Sequence, residues 1–457
     1  MNLHACLSDH RRYRQQLEKL HEKYLRTGRL YELQQSEVSL ASFVLNRARV
    51  ARLIARSVAR GEYRLEPARI RTITANGKQR VVFAYRLSDL LVHGVVAEII
   101  NEALTPSLSN RLYSYRKARS WWTATSALAS YIRAHRWREP DVRRRGLHVL
   151  RRDIDSYTDS IPVGDPSPVW GMLRNLCSAS ADSHSLSPAD WRLIESVVRP
   201  EAFVTPGEIF TQYRGVPTGQ PISCVLFNLY LSPLDAELDQ IPGAFYARYC
   251  DDVIFAHPDA NVARAVDGRI REILAPLSLT LNESKSRNLY VTGAGRCSAE
   301  WPEAKGTTVV PFLGCLISAQ GTVSLSREKR RRLLTDLRHR ALRTAQAVKS
   351  PSLESTGRVV CAVINRALSP RLEFSQQRSA ALLRRVVTDR GSLKQLDYGI
   401  ARIVLEAVTG QLGPRAFRHV SYRKMREEWR LLSLLHARNK WTRARQPPAG
   451  AVARAPG

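Results

Sequence analysis

The sequence predicts an α+β fold in which antiparallel strands are followed by a long helical region. Two strand-like runs, residues 69–74 and 80–85, flank an Asn-Gly pair, which is a strong hairpin signal. Two apolar runs flank Asp251 and Asp252 in the same way and predict a second hairpin with the aspartates at its turn. From Ser326 onward the chain has the pattern of helices separated by Gly and Pro. A chain that combines a strand-rich part with a separate helical region is typical of an α+β protein.

Local signals along the chain predict further elements. Residues 1–60 are basic and helical in pattern, with a second helical run over 36–60. Ser88 is expected to cap a mostly apolar, buried helix. Residues 187–190, Ser-Pro-Ala-Asp, have the form of a capping box and predict the start of a short helix. The tail 441–457 is rich in Arg, Pro, Ala and Gly and is expected to be disordered.

The chain is strongly basic. Its 457 residues include 71 Lys and Arg against 41 Asp and Glu, a formal net charge of +30, and 60 of the basic residues are arginine. A charge of this size favours a polyanionic partner over a small-molecule substrate. Arginine suits bidentate contacts with phosphate, although a GC-rich genome would also raise the arginine content. The length is sufficient for roughly two to four domains.

Membrane-spanning, disulfide-linked and zinc-binding classes are disfavoured. The longest apolar run, residues 90–100, is interrupted by His93 and Glu98 and is short of the ~20 residues that a membrane span needs. The first twelve residues contain no long apolar core, so no signal peptide is expected. The seven cysteines are scattered without a Cys-x-x-Cys pair, which favours a reducing compartment. We therefore expect a cytoplasmic protein without a membrane partner.

Two acidic clusters stand out in this basic chain. Asp251 and Asp252 form one, and a strand-like run that begins at Leu147 ends in the other, Asp153 and Asp155. Two acidic strand ends in one sheet can hold a pair of divalent cations about 4 Å apart, which activate a 3′-hydroxyl and stabilise a leaving pyrophosphate. The alternative is that these aspartates are solvated polar residues of exposed turns.

The segments around these aspartates resemble the reverse transcriptases, in particular the bacterial group with the group II intron enzymes, retrons and defence-associated members. Tyr249-Cys250-Asp251-Asp252 is similar to the family's Tyr-x-Asp-Asp box. Residues 153–161 are similar to its Asp-Ile-x-x-x-Phe-Asp-Ser-Ile motif, and residues 215–223 resemble its Gly-x-Pro-Gln-Gly-x-x-x-Ser segment. Seven such boxes follow the family's order over residues 69–325.

The resemblance implies two bound Mg²⁺ ions, with Mn²⁺ as the alternative. The implied metal-binding residues are Asp153, Ile154, Asp251 and Asp252, and the three aspartates are also the implied catalytic residues. Lys285 would complete the catalytic set by protonating the departing pyrophosphate, although a lone lysine is more often a surface charge. The implied substrate-binding residues are Lys78, Arg80, Arg116, Ile154, Tyr157, Thr158, Gly215, Pro217, Thr218, Gly219 and Gln220.

Three residues depart from the family's pattern. Thr158 stands where the family usually has a bulky aromatic residue that clashes with a ribose 2′-hydroxyl. Sugar discrimination is therefore expected to be relaxed, unless Tyr157 takes that place. Thr218 replaces the usual Gln that touches the nucleotide, and Ala118 replaces a common Gly. Because the three aspartates are present, an active enzyme with unusual substrate selection is expected.

The implied architecture is a right-hand polymerase, with fingers and an RRM-like antiparallel palm sheet followed by an α-helical thumb. The expected limits are an N-terminal helical extension at 1–60, fingers at 61–145, a palm at 146–325 and a thumb or C-terminal domain at 326–440. The tail 441–457 follows as a disordered basic segment.

Basic and aromatic clusters lie outside the acidic motifs. The run 327–332, with Arg338, Arg340 and Arg343, predicts a basic helix for duplex phosphates or a structured RNA, and a solvated charged face is the alternative. The pair Trp121-Trp122 can stack on bases, but a place in the buried core is the favoured interpretation.

The implied function is an RNA-directed DNA polymerase that extends a primer 3′-hydroxyl with dNTPs by two-metal catalysis. No Asn-Ala-x-x-His segment and no appended zinc region occur, and the C-terminal Ser-Leu and Arg-Asn pairs resemble antiphage reverse transcriptases of the "unknown" groups. The expected partners are an RNA template, a cognate noncoding RNA, a DNA product, dNTPs, and a second copy or an accessory defence protein. Two alternatives stay open: a template-independent or protein-primed polymerase of this family, and a maturase-like RNA-binding protein.

Overall fold

The computed structural model describes residues 2–27, 33, 39–75, 78–179, 186–205, 208–211, 213–216, 219–348, 352–368 and 386–443. Its helices are α1 (Leu3–Leu7), α2 (His10–Thr27), α3 (Leu40–Leu45), α4 (Arg47–Ala59), α5 (Leu87–Leu104), α6 (Trp121–Arg138), α7 (Tyr157–Ser160), α8 (Pro168–Ala179), α9 (Pro188–Val198), α10 (Pro221–Tyr230), α11 (Ser232–Leu238), α12 (Ala260–Leu274), α13 (Arg327–Ala347), α14 (Leu353–Leu368), α15 (Arg390–Thr409), α16 (Tyr422–Glu427) and α17 (Leu434–Arg443). Its strands are β1 (Ala68–Ala75), β2 (Lys78–Ala84), β3 (Leu147–Asp153), β4 (Glu201–Thr205), β5 (Glu208–Thr211), β6 (Phe245–Tyr249), β7 (Asp252–His257), β8 (Arg287–Val291), β9 (Lys305–Thr307), β10 (Val309–Phe312), β11 (Cys315–Ser318) and β12 (Val323–Leu325).

The chain divides into two compact units, and each draws on two separate stretches. The first unit comprises residues 1–120 and 148–289, and the second comprises residues 121–147 and 290–457. The predicted α+β class is confirmed, since helices and antiparallel sheets both occur. The limits of the fingers, palm and thumb stay a prediction, because a division into compact units does not test them.

One sheet of the first unit contains strands in the order β6-β7-β3-β8. β6 and β7 form an antiparallel hairpin in which Tyr249 lies opposite Asp252, so the predicted hairpin is confirmed. Only Asp251 lies in its turn, however, because Asp252 is the first residue of β7. β3 lies antiparallel to β7, and its residues are buried except for the half-buried Arg151. A strand buried on both faces explains why the sequence before Asp153 shows little polar alternation.

The other sheet of this unit has the order β2-β1-β4-β5. β1 and β2 are antiparallel, with Ala75 opposite Lys78, so the predicted flanks of the Asn-Gly hairpin are confirmed. The turn residues Asn76 and Gly77 themselves lie outside the described residues. β4 joins β1 in parallel and continues antiparallel into β5.

The helix termini confirm one predicted cap and correct another. At α9, Ser187 accepts a hydrogen bond from the Asp190 amide and Asp190 accepts one from the Ser187 amide, so the capping box is confirmed. At α5 the predicted Ser88 cap is wrong. Arg86 takes the extended N-cap backbone conformation there, which places Ser88 inside the first turn.

The predicted helical run over 36–60 is two helices, α3 and α4, separated at Asn46, and residues 36–38 lie outside the described residues.

The second unit combines the sheet β10-β11-β12 with a helical region in which α13 packs against α14 and α15. Trp121 and Trp122 are half-buried rather than core residues, and the Lys329 ammonium lies 3.1 Å from the Trp121 ring centroid.

The last helix, α17, extends to Arg443, three residues into the segment expected to be disordered, and residues 444–457 lie outside the description. In the described ranges, no helix combines the length and apolar character that crossing a membrane requires.

Candidate active site

Strand register brings the two acidic clusters to one end of a sheet. Asp153 is the last residue of β3 and lies opposite Asp252, the first residue of β7. The tight turn Cys250-Asp251 joins β6 to β7, so Asp251 lies at the same end. Cys250 has a φ of +60°, a left-handed conformation that costs roughly 1 kcal/mol in a residue with a side chain. The turn therefore needs support from its surroundings.

A buried ion pair lies next to this turn. Arg248 is 0% exposed and Asp235 is 2% exposed. Nε and Nη2 of Arg248 donate to the two carboxylate oxygens of Asp235 at 2.8 and 2.5 Å, and the Tyr246 hydroxyl donates to the same carboxylate at 2.6 Å. Burial alone would lower the pKa of Arg248, but the charge and hydrogen bonds of Asp235 raise it above its ordinary value. Arg248 is thus a permanent buried cation.

The other donors of Arg248 hold the backbone around the turn. Nη1 donates to the carbonyl oxygens of Cys250 and Phe227 at 3.2 and 3.3 Å, and Nη2 donates to that of Asn228 at 3.3 Å. The Ser114 hydroxyl accepts from the Cys250 amide at 3.0 Å and donates to the Asn228 side chain at 3.2 Å. Sequence reasoning assigned no role to Arg248 or Ser114. The available signal was a charged residue inside the apolar run of β6.

Cationic side chains contact two of the three aspartates. Lys285 Nζ lies 2.8 Å from Asp153 Oδ2, and this hydrogen bond raises the pKa of Lys285 above its ordinary value. Arg151 Nη2 lies 3.3 Å from Asp252 Oδ1. Burial raises the pKa of Asp251, and the charges of Asp252 and Asp153 raise it further. Burial likewise raises the pKa of Asp252, against the opposing effect of Arg151.

The donor chemistry of this site fits a divalent cation. Carboxylate oxygens are the ligands that Mg²⁺ prefers, and a cation between Asp153, Asp251 and Asp252 would remove the repulsion that raises the pKa of Asp251. In the part of the chain that the structure describes, no group of three or more His, Cys, Asp or Glu side chains is already spaced as a metal site. Ile154 is 1% exposed, and its amide donates to the Asp251 carbonyl at 3.3 Å.

Tyr157 and Thr158 follow the first aspartate. The Tyr157 ring is 2% exposed, packs against Phe227 with ring centroids 5.5 Å apart, and donates its hydroxyl to the Phe227 carbonyl at 2.8 Å. A ring held in the core cannot also stand at the position of the missing aromatic residue. Thr158 is half-buried, and its carbonyl accepts from the Val216 amide at 2.8 Å.

The glycine-rich segment lies beside Thr158. Gly215 and Gly219 have φ values of +85° and +99°, which residues other than glycine rarely adopt. The Gly215 amide donates to the Ile161 carbonyl at 2.7 Å, which ties this segment to the residues after Asp153. Gln220 is 3% exposed and donates to the Tyr85 hydroxyl, so its side chain packs inside the unit. Pro217 and Thr218 lie outside the described residues.

The remaining predicted substrate-binding residues lie on other elements. Lys78 and Arg80 are residues of β2 and so belong to the β2-β1-β4-β5 sheet, and their side chains lie outside the description. Arg116 donates to the Ser109 carbonyl at 2.5 Å. Burial lowers the pKa of Arg116, and the charge of Arg119 lowers it further. The segment before Arg116 is hydrogen-bonded to β6, the strand that leads into the turn at Asp251, since the Tyr113 amide donates to the Arg248 carbonyl at 2.9 Å.

Comparison with protein families identifies the domain around this site. Residues 179–317 match the model described as reverse transcriptase (RNA-dependent DNA polymerase). The chain therefore contains a reverse transcriptase domain, the domain of RNA-directed DNA polymerases, which are nucleotidyltransferases. Domains of this kind generally use divalent metal ions, typically Mg²⁺. The match includes Asp251, Asp252 and Lys285 and begins after Asp153. Among curated proteins, no match to the chain was found.

Telomerases are among the solved structures similar to this chain. Apo telomerase from Candida tropicalis aligns with a TM-score of 0.45 and 13% identity, over 82% of this chain and 62% of that one. Telomerase from Candida albicans in complex with a TWJ fragment of telomeric RNA aligns with a TM-score of 0.41 and 13% identity, over 84% and 67%. This chain thus spans less than two thirds of the Candida tropicalis protein.

Replacing Arg248 with Met should leave the Asp235 carboxylate buried without its cation. We expect the free energy of unfolding, measured in urea, to fall by about 3–5 kcal/mol, because an uncompensated buried charge is costly. Arg248→Met combined with Asp235→Asn should recover about 2 kcal/mol of that loss. The control Arg269→Met removes a half-exposed guanidinium that pairs with Glu237 and should change stability by less than about 1 kcal/mol. An Arg248→Met protein as stable as this control would contradict the account.

Ala118 offers a test of one departure from the family pattern. Its φ is +61°, in the left-handed region that favours glycine. Ala118→Gly should therefore raise the free energy of unfolding by up to about 1 kcal/mol, as measured in urea. The matched change Ala127→Gly inside α6 should lower it by about 1 kcal/mol, because glycine is disfavoured in helix interiors. A loss of stability in Ala118→Gly would contradict the strained backbone at this position.

Proposed function

We propose that the chain is an RNA-directed DNA polymerase that extends a primer 3′-hydroxyl at Asp153, Asp251 and Asp252. The observation that carries this proposal is the register that sets Asp153 opposite the Tyr-Cys-Asp-Asp hairpin, within a chain that contains a reverse transcriptase domain. The three carboxylates and the carbonyl of Ile154 would hold two Mg²⁺ ions. When bound, such ions supply charge neutralisation for the attacking and the departing oxygen.

The chain's own residues supply the remaining chemistry. Lys285 is half-exposed, and its raised pKa keeps a proton at Nζ that can pass to the departing pyrophosphate. Arg151 orients Asp252. The backbone at Gly215, with no side chain in the way, can approach a base pair closely. The Arg248 network keeps the turn at Cys250 and Asp251 in place while the carboxylates repel one another.

The proposal also includes a nucleic-acid partner, a biological role and the limits of the domains. An RNA serves as template, and the charge of +30 supports strong, salt-sensitive binding of a cognate noncoding RNA. The fingers, palm and thumb would span 61–145, 146–325 and 326–440. A role in antiphage defence has support from the resemblance of the C-terminal segment. Seven cysteines that are all free thiols support a reducing compartment such as the cytoplasm.

Asp251→Asn should abolish DNA synthesis. Loss of one carboxylate from the proposed metal site should lower the rate by several orders of magnitude, about the loss seen for a central catalytic group. The measurement is incorporation of labelled dNTPs on an RNA template annealed to a DNA primer, with and without EDTA. The control Asp336→Asn changes an exposed aspartate on α13 that pairs with Arg340 and should retain full activity. Untemplated product would favour the template-independent alternative. Equal activity of wild type and Asp251→Asn would refute the proposed site.

The role in defence can be tested with the same pair of variants. If polymerisation is the biological activity, Asp251→Asn should abolish protection of cells against phage, whereas Asp336→Asn should keep it. Protection by Asp251→Asn at normal protein level would favour the maturase-like or scaffolding alternative, in which RNA binding is the primary activity.

Thr158→Phe should increase the discrimination of the enzyme against ribonucleotides. Since Tyr157 is held in the core, the threonine leaves room for a 2′-hydroxyl, and wild type should incorporate rNTPs alongside dNTPs. The substituted ring should lower rNTP incorporation at least about 10-fold while dNTP incorporation persists, because a steric clash acts on the ribonucleotide alone. The ratio of kcat/KM for dATP and ATP measures this, with Thr158→Ser as the matched control. A wild-type enzyme that already excludes rNTPs would contradict the expected relaxation.

A further inference from the structure

A basic and aromatic stripe runs along α15 in the second unit. Lys394, Tyr398 and Arg402 are spaced four residues apart, which places them on one helix face. All three side chains are exposed, and Tyr398 is 47% exposed. The Arg402 guanidinium lies 5.9 Å from the Tyr398 ring centroid. These residues line two cavities of the same unit, one aromatic and one rich in arginine.

The aromatic cavity has a volume of about 430 Å³. Tyr398, Phe417 and Tyr422 contribute aromatic rings to its lining, and the rings of Tyr398 and Phe417 are parallel within 8°, with centroids 5.8 Å apart. Lys394 lies at its wall. Asp397 also lines it, but this carboxylate is 8% exposed and already caps α17 by accepting from the Ser433 hydroxyl and the Leu434 amide at 2.7 Å each. The cavity therefore combines aromatic side chains with the ammonium group of Lys394 at its wall.

The second cavity is a groove of about 500 Å³ between α13 and α15. Five arginines and one glutamate line it, which leaves a strong positive charge. Glu406 is bound by both Nε and Nη2 of Arg338, so the acidic group is already neutralised. Arg327, Arg331 and Arg402 are exposed at the same groove. Guanidinium groups of this kind bind phosphates in bidentate fashion.

We propose that these two cavities form one binding site for single-stranded nucleic acid. Phosphates would lie along the arginine groove, and one unpaired base would enter the aromatic cavity and stack on Tyr398. A positively charged groove combined with aromatic platforms is the general solution for binding single strands. The volume of the aromatic cavity lies in the range of about 300–1,000 Å³ that is usual for small-molecule pockets, so it suits one nucleotide. Such pockets are mostly apolar with a few polar groups, as this one is. A duplex keeps its bases stacked inside and cannot use the aromatic cavity.

The site extends the proposed function to a second place where the chain would hold its nucleic acid. The choice of a polynucleotide as the ligand rests partly on that proposed function and partly on the charges in the groove. Single-stranded RNA and single-stranded DNA share the chemistry that the site recognises, so both are tested. Binding is measured without dNTPs, so a chain that binds single strands but makes no DNA would refute the polymerase and leave this site intact.

The test measures anisotropy of fluorescein-labelled oligo(A) RNA, oligo(dA) DNA and a blunt RNA duplex with the full chain. Tyr398→Ala should weaken binding of the single strands about 5- to 100-fold, the loss expected for one stacked base, and should leave the duplex unchanged. Tyr398→Phe should bind as wild type, because it keeps the ring. Trp137→Ala is the matched control, since Trp137 is 88% exposed on α6 and lines neither cavity.

The arginine groove has its own readout. Arg331→Gln should reduce the slope of log Kd against log salt by about one for the single strands, because one phosphate contact is lost. Tighter binding of RNA than of DNA would identify RNA as the ligand. Equal binding would identify a site that contacts the base and the phosphate but not the 2′-hydroxyl of the sugar. Tyr398→Ala binding single strands as tightly as Trp137→Ala, or losing duplex binding equally, would overturn the proposal.

Discussion

The carboxylate site depends on the buried ion pair between Arg248 and Asp235. At this sheet end Asp251 lies in a tight turn, and Cys250 beside it has a strained left-handed backbone conformation. Arg248 supplies the compensation, because one guanidinium donates to Asp235, to the Cys250 carbonyl and to two carbonyl oxygens at the end of α10. A fully satisfied buried network of this kind favours one conformation of the turn over others.

The charges around the three aspartates are only partly balanced. Asp153 and Asp252 are held by Lys285 and Arg151, whereas burial and like charges raise the pKa of Asp251. Negative charge that is concentrated and only partly neutralised is what a divalent cation needs, and the surrounding chain of +30 attracts the phosphates that would meet it.

Much of this arrangement could be predicted from the sequence, because hairpins and caps are local. Signals from neighbouring residues were enough for the strands that flank the Asn-Gly pair, for the hairpin at Asp251, for the Ser187 capping box and for the order of the acidic motifs. The role of Arg248 could not be predicted, since its partner and the carbonyl oxygens it binds lie on other elements. The place of the Tyr157 ring could not be predicted either, because its hydroxyl donates to the carbonyl of Phe227, which is 70 residues away in the chain.

The most direct test of the account is to purify the chain with the RNA that accompanies it, supply dNTPs, and sequence both the RNA and the DNA formed. A reverse transcriptase domain acting on a bound template predicts DNA complementary to the accompanying RNA. Bound RNA with no product under any supply of dNTPs or NTPs would contradict the polymerase and leave an RNA-binding protein whose carboxylates serve another purpose.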